Sequence, residues 1–260
     1  MRNSFSEKLL LLLSRNPDRA LENQCDNTQN ISNALDKLIN AYGVEYIATM
    51  IKNKEVIDFG CGLGYQTVAI ALHGAKRVVG IDIIKENIDF GKKLAARNNV
   101  QNKIEFYGNE ECILYRKFDL ILSLNSFEHY NQPKDILQLF CNLLTHEGKI
   151  LLTFSPPWYS AYGSHMHFFT KLPYVNILFS EKTVMNVRKH YRYDGANKYE
   201  EISGGLNKMT VLKFESIVKH SDLECTYLKM HGIKGIDLLT KIPLIRELFT
   251  TRIDCILSKL

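Results

Sequence analysis

A chain of 260 residues with 45% hydrophobic and 23% charged side chains has the make-up of a globular protein, which excludes a disordered or fibrous one. Such a length suits one domain, or one domain with a large insertion, and buries roughly three quarters of the unfolded surface. The formal net charge of +5 allows weak attraction to anionic partners but is too small to argue for nucleic acid.

Along the chain, the first feature is the run from Leu9 to Leu13. It is shorter than the apolar core of a signal peptide, and no small-x-small cleavage pattern follows it. It reads as the apolar face of a short helix. No stretch approaches the length that spans a bilayer, so a cytoplasmic location is expected. The cysteines Cys25, Cys61, Cys112, Cys141, Cys225 and Cys255 form no CxxC pair and have no zinc-like spacing to histidine. They read as small buried residues in a reducing compartment. After a polar stretch, Ile31, Leu35, Leu38 and Ile39 recur at helical spacing, and Ile47 and Ile51 continue a second helix.

From there strands and helices alternate. Strands are predicted over residues 55–59, 77–82, 103–107, 118–124 and 148–154, with helices over 65–73, 85–98 and 136–144. Gly74 is a helix stop. The strand over 118–124 is almost wholly apolar, as a strand covered on both faces is. This alternation predicts an α/β fold with a doubly wound parallel sheet. The pattern then breaks into an aromatic-rich segment over residues 155–207 and resumes with a helix over 209–220 and strands near 224–230 and 252–257.

The most informative segment is Val56-Ile57-Asp58-Phe59-Gly60-Cys61-Gly62-Leu63-Gly64. A strand feeds a GxGxG turn, and a helix follows. Glycines permit positive φ and close approach of a ligand to the backbone. The helix start beside them offers free N–H groups. The next strand ends in Asp82, about twenty residues on, where an acid suits ribose hydroxyls. A dinucleotide fingerprint requires GxGxxG, but Tyr65 or Thr67 occupies its last position. Asp58 would repel a phosphate and attract an ammonium. Both features argue against an NAD-linked oxidoreductase.

These segments, together with VVGID, FDLILSLNSFEH and LLTHEGKILLTF, resemble the class I S-adenosylmethionine-dependent methyltransferases with a type 11-like core. The resemblance is strong over roughly 100 residues, from Val56 to Phe154, and weak in the C-terminal part. It implies a Rossmann-like, doubly wound, seven-stranded mixed sheet whose last two strands are antiparallel. It further implies S-adenosyl-L-methionine as cofactor, with S-adenosyl-L-homocysteine as product. The implied cofactor contacts are Asp58, Gly60, Cys61, Gly62 and Gly64 around the methionine part, Asp82 on the ribose and Ile83 against adenine. Asn109 stands at the adenine edge, where the family often has Asp, and Asn125 ends the fourth strand.

Other signals bear on the acceptor. Ser155-Pro156-Pro157-Trp158 resembles a motif of amino-group methyltransferases, but it follows the fifth strand instead of the fourth and reads as a rigid exit from the sheet. Asn125-Ser126-Phe127-Glu128-His129 resembles the ExxEH motif of metal-assisted O-methyltransferases with its first acid replaced, so no metal is expected. His165 and His167 are candidate general bases for a hydroxyl acceptor, with Glu128 and His129 as the alternatives.

The chain is thereby read as an N-terminal helical segment (1–52), an S-adenosylmethionine-binding core (53–154), an insertion after the fifth strand (155–207) and a C-terminal completion of the core (208–260). The insertion is expected to be an acceptor-binding lid or a dimer interface, so a homodimer is possible. The expected acceptor is a hydroxyl of a small molecule or saccharide, with no nucleic-acid partner and no transmembrane segment. The rival readings are an N-methyltransferase and a non-catalytic cofactor-binding module.

Overall fold

The computed structural model describes residues 4–16 and 30–260; Cys25 and the rest of the early polar stretch lie outside them. Seven strands form one sheet: β1 (Glu55–Phe59), β2 (Arg77–Ile81), β3 (Ile104–Tyr107), β4 (Phe118–Leu124), β5 (Leu144–Phe154), β6 (Leu223–Gly232) and β7 (Thr250–Lys259). Their order is β3-β2-β1-β4-β5-β7-β6. The first five are parallel, and β7 enters antiparallel between β5 and β6. The five parallel strands form the doubly wound sheet that the alternating pattern predicts, and antiparallel β7 makes it the mixed seven-stranded sheet that the resemblance implies.

Ten helices of the α type accompany the sheet among the described residues. They are α1 (Phe5–Leu12), α2 (Asp36–Tyr42), α3 (Val44–Ile51), α4 (Tyr65–Leu72), α5 (Lys85–Arg97), α6 (Pro133–Leu143), α7 (Val175–Leu178), α8 (Glu181–Arg188), α9 (Val211–Lys219) and α10 (Arg246–Phe249). Helix α6 starts three residues before the predicted 136 because Pro133, lacking an N–H, suits the first helical turn. Strand β5 starts at Leu144, ahead of the predicted 148. The irregular register there has Phe118 facing Leu144 but Leu120 facing Lys149. Gly148 makes this possible, since a Cβ on it would lie 2.7 Å from a Leu144 methyl carbon.

Strand periodicity sorts side chains onto two faces. Ile57 and Phe59 of β1, Ile150, Leu152 and Phe154 of β5, and Ile253, Cys255 and Leu257 of β7 pack under α6 and α9. Val56, Leu122, Leu151 and Ile256 face the other way and pack under α2 to α5. Two residues further along this second face, at the carboxyl ends of the parallel strands, come Asp58, Leu124 and Thr153. On antiparallel β7 the same face continues backwards from Ile256 to Asp254 and Arg252. The register sets Thr153 directly opposite Asp254. An apolar sheet face thus turns polar at the one edge where a parallel sheet delivers its loops.

The insertion has a core of its own. Phe169 stacks on Tyr191 at 5.0 Å, and Trp158 meets Tyr199 edge-on at 4.8 Å. Met166, Val175, Val184, Met185 and Val187 complete this cluster together with Leu10 of α1. The leucine run was expected to be the apolar face of a short helix; it lies in α1 and the residue after it, but Leu10 alone is buried while Leu9, Leu12 and Leu13 are exposed, and the helix docks on the insertion through Leu10. Arg15 N–H donates to the Phe169 carbonyl at 2.7 Å, and the Tyr191 hydroxyl donates to the Arg15 carbonyl at 2.6 Å. The cysteines divide differently from expectation. Cys141 and Cys255 are buried, but Cys112 and Cys225 are exposed, because they sit in a surface turn and on the outermost strand. No helix among the described residues is long and apolar enough to cross a membrane.

Candidate functional site

The turn after β1 is folded back by the end of β2. Gly60 and Cys61 N–H both donate to the Ile81 carbonyl at 2.8 Å, and Gly62 N–H donates to the Asp82 carboxylate at 2.8 Å. The turn needs its glycines. Gly60 lies at φ +83°, where a Cβ would come within 2.4 Å of the Ser126 hydroxyl. Gly62 lies at φ +52° with open space where its Cβ would be. The turn thus presses against the loop after β4 on one side and leaves room for a ligand on the other. Tyr130 reinforces the first contact, its hydroxyl donating to the Phe59 carbonyl at 3.1 Å.

Over this turn lies a cavity of about 510 Å³. Its floor is Asp58 with residues 60–63, and Tyr65 and Gln66 of α4 close one side. Its roof is residues 33, 34 and 36–38, at the start of α2. Tyr42 anchors that roof by donating to the Cys255 carbonyl at 3.3 Å. The far wall is Leu124, Asn125, Thr153, Arg252 and Asp254.

Asp58 is buried and accepts hydrogen bonds from the Thr67 hydroxyl at 2.7 Å and from the Gln66 amide at 3.3 Å. Burial pushes its carboxyl up to about 6; the Thr67 and Gln66 bonds oppose the rise, and the Asp82 charge adds to it. Among the described residues this carboxylate has no cation partner, and a ligand ammonium would supply one.

Of the expected cofactor contacts, the structure gathers Asp58, Gly60, Cys61, Gly62 and Asn125 on the cavity wall. Gly64 caps α4 behind the turn in the left-handed conformation. Asp82, Ile83 and Asn109 lie beyond it, at the neighbouring ends of β2 and β3. The Asp82 carboxylate also accepts from Ile84 N–H and the Asn87 amide, at 2.9 and 3.1 Å, so it holds both the turn and the start of α5. Ile83 is 79% exposed, and the exposed Asn109 accepts from Glu111 N–H at 3.2 Å.

The four candidate bases lie elsewhere; none lines the cavity. Glu128 is buried, one carboxylate oxygen accepting from Ser155 N–H at 3.1 Å and the other without a partner. Burial raises its carboxyl to about 7 against the two backbone hydrogen bonds that lower it. It reaches the cavity only indirectly, since the Ser155 hydroxyl donates to the Asn125 side chain at 3.1 Å. The His129 ring pairs with the Gly205 carbonyl at 2.7 Å and stands 5.4 Å from the His165 ring. Burial, with His129 and His167 nearby, lowers the His165 imidazole to about 4, against a hydrogen bond to Pro156. His167 is exposed.

The insertion, expected as an acceptor-binding lid or a dimer interface, contributes no lining residue to this cavity, whose roof is the start of α2. Trp158, Phe169, Tyr191 and Tyr199 of the insertion pack in its own core, Tyr159, Tyr162 and Tyr193 are exposed, and the end of the insertion is fastened down. Asn207 donates from its side chain to the Phe127 and Tyr130 carbonyls, each at 2.8 Å.

The far wall holds groups that the sequence reading passed over. Asp254 is fully buried, and one of its oxygens takes both the Arg252 guanidinium and the His231 ring at 2.6 Å. Its other oxygen and the Arg252 Nε have no partner. The signal was present in Arg252-x-Asp254-x-Ile256, where charges alternate with apolar residues in an otherwise apolar strand; buried charge in such a place has to be paired. No group of three or more His, Cys, Asp or Glu side chains among the described residues is arranged to hold a metal.

Residues 51–156 match the family model of a methyltransferase domain. A ribosomal protein L11 methyltransferase of Shewanella is 44% identical over 73 residues, which cover 28% of this chain and 25% of that protein. A mitochondrial ubiquinone biosynthesis O-methyltransferase of Dictyostelium discoideum is 32% identical over 118 residues, covering 40% and 36%. The chain therefore spans only about a quarter to a third of the length of these curated relatives. An S-adenosylmethionine-dependent methyltransferase of Mesorhizobium loti shares the fold with a TM-score of 0.56 at 15% identity, covering 83% of this chain and 96% of that one.

Proposed function

We propose that this chain, whose residues 51–156 match the family model of a methyltransferase domain, transfers a methyl group from S-adenosylmethionine to a hydroxyl of a small molecule or saccharide. The observation that carries the cofactor reading is Asp58, a buried carboxylate with no cation partner among the described residues, on the floor of a cavity of about 510 Å³ above the glycine turn.

When bound, the cofactor supplies a methyl group on an electron-poor sulfonium. Asp58 pairs with its ammonium, and Gly60, Cys61 and Gly62 let its backbone-hugging part approach. Asp82 still has lone pairs for a ribose hydroxyl beyond the three donors it holds. Ile83 offers an exposed apolar face to adenine, and Asn109 stands at the adenine edge. Asn125 borders the acceptor end.

In this reading the acceptor lies against Thr153, Arg252 and Asp254. A guanidinium donates and a carboxylate accepts, a combination that suits hydroxyl groups. Asp254, fixed by His231 and Arg252, takes the hydrogen bond of the attacking hydroxyl. His165 suits this less well, because an imidazole lowered to about 4 is a weak base at neutral pH. Glu128, at about 7, has the better proton affinity, but it lies behind Ser155 and Asn125 and serves to position Asn125.

Calorimetry tests the cofactor reading. S-adenosylhomocysteine is expected to bind and NAD not to bind. Tight binding of NAD with no response to S-adenosylhomocysteine would overturn it.

A further inference from the structure

We propose that the connection between β6 and β7 docks on an anionic lipid bilayer. The connection, residues 233–249, is apolar outward. Ile236 is 54% exposed, Leu238 68%, Ile242 42% and Leu244 94%. Four large aliphatic side chains in nine residues, facing solvent, form an apolar patch that a globular surface seldom leaves uncovered.

The backbone beneath them is fixed. Gly232 N–H donates to the Asp237 carboxylate at 2.8 Å, and the Thr240 hydroxyl donates to the Asp237 carbonyl at 2.7 Å. A Cβ on Gly232 would lie 2.0 Å from the Ile236 carbonyl oxygen, so the turn closes tightly. Helix α7 adds to the patch. Tyr174, just before it, donates to the Leu248 carbonyl at 3.3 Å, and its Ile177 and Leu178 are exposed.

Charge selects the occupant. The two acids of the connection face inward: Asp237 holds Gly232 N–H, and Glu247 accepts from Val211 and Leu212 N–H at 3.0 and 2.8 Å. Arg246 is taken by Glu215. Lys234 and Lys241 remain, both exposed and neither in an ion pair among the described residues. Aliphatic side chains flanked by unpaired lysines match the interface of a bilayer with anionic headgroups, which takes the apolar groups below the headgroup layer and holds the cations in it. The patch and the far wall of the cavity share one sheet edge, since Gly232 pairs with Thr250 and Arg252 follows two residues on.

Sedimentation of the full chain with vesicles tests the proposal. The chain is expected to pellet with phosphatidylcholine–phosphatidylglycerol vesicles, less with phosphatidylcholine alone, and less again as salt rises. Replacing Leu238 and Leu244 together by Asp is expected to abolish pelleting. Replacing Lys234 or Lys241 by Gln should weaken it about fivefold each. These side chains are exposed, so thermal unfolding should be unchanged and report an intact fold. The proposal is overturned if the wild type stays in the supernatant with the mixed vesicles, or if the double Asp variant pellets as the wild type does. It is also overturned if the wild type is a concentration-dependent dimer that the double Asp variant breaks, since a second copy is then the occupant.

Discussion

The two walls of the cavity are built in different ways. The near wall, from Asp58 to Gln66, is one continuous stretch of chain whose shape follows from three left-handed glycines and the end of β2. The far wall joins Thr153 to Arg252 and Asp254, residues about a hundred positions apart that meet only because β7 runs antiparallel beside β5. Local backbone rules therefore set the first wall. Register sets the second, and a slip of one residue on β7 would turn Arg252 and Asp254 to the opposite face. The difference teaches where each wall is written: the near one in a local motif, the far one in strand pairing.

The sharpest test of the near wall is its rigidity, and it carries the largest expected effect. Gly60→Ala forces a Cβ onto a backbone at φ +83° and into the Ser126 side chain at 2.4 Å. It should cost about 2–4 kcal/mol in urea unfolding, combining left-handed strain with overpacking. Gly62→Ala meets only the strain, having open space at φ +52°, and should cost about 1 kcal/mol. Equal losses would show that the contact with the loop after β4 does not shape the turn.

Much of this wall was legible in the sequence for the same reason. The strands over 55–59 and 118–124 match their predicted bounds, because apolar runs closed by glycine or by a change of polarity have few alternatives. The far wall was less legible. The last strand was read for its apolar residues, and nothing local says that Arg252 and Asp254 face a cavity. The role of the insertion was hidden too. Its aromatic residues are equally compatible with a pocket and with a private core, and only tertiary packing on α1 decides between them.

A smaller effect, read as a pH dependence, sharpens the contrast in electrostatics. Asp58, pushed up to about 6, is ionised at neutral pH and becomes protonated below that value. A ligand ammonium favours the ionised form, so binding and protonation compete. S-adenosylhomocysteine affinity should fall as pH drops through about 6, by at most about tenfold per pH unit, the limit for one proton. Asp58→Asn should weaken binding by about 1.5–3 kcal/mol at neutral pH, the usual worth of a hydrogen bond to a charged group, and should flatten the profile. A wild-type affinity that stays constant down to pH 5 would separate Asp58 from the ligand and leave the near wall without its charge.

The smallest effect concerns the insertion and decides whether it belongs to the site at all. His167 was read as a candidate base because a histidine pair after the fifth strand sits at the ligand edge of the sheet. In the structure it is exposed and off the cavity, while the start of α2 forms the roof. His167→Ala removes no buried contact, so its stability should change by less than about 0.5 kcal/mol and its S-adenosylhomocysteine affinity by less than about twofold. A tenfold loss of affinity, measured by calorimetry with folding unchanged, would mean that the insertion closes over the bound ligand and carries His167 with it. That closure would have to release Asn207 from the Phe127 and Tyr130 carbonyls, or bend the segment ahead of it. Two partly buried hydrogen bonds oppose the first route, and the shared core with α1 opposes the second. The expected result is therefore an unchanged affinity, with acceptor chemistry left to the wall that β7 supplies.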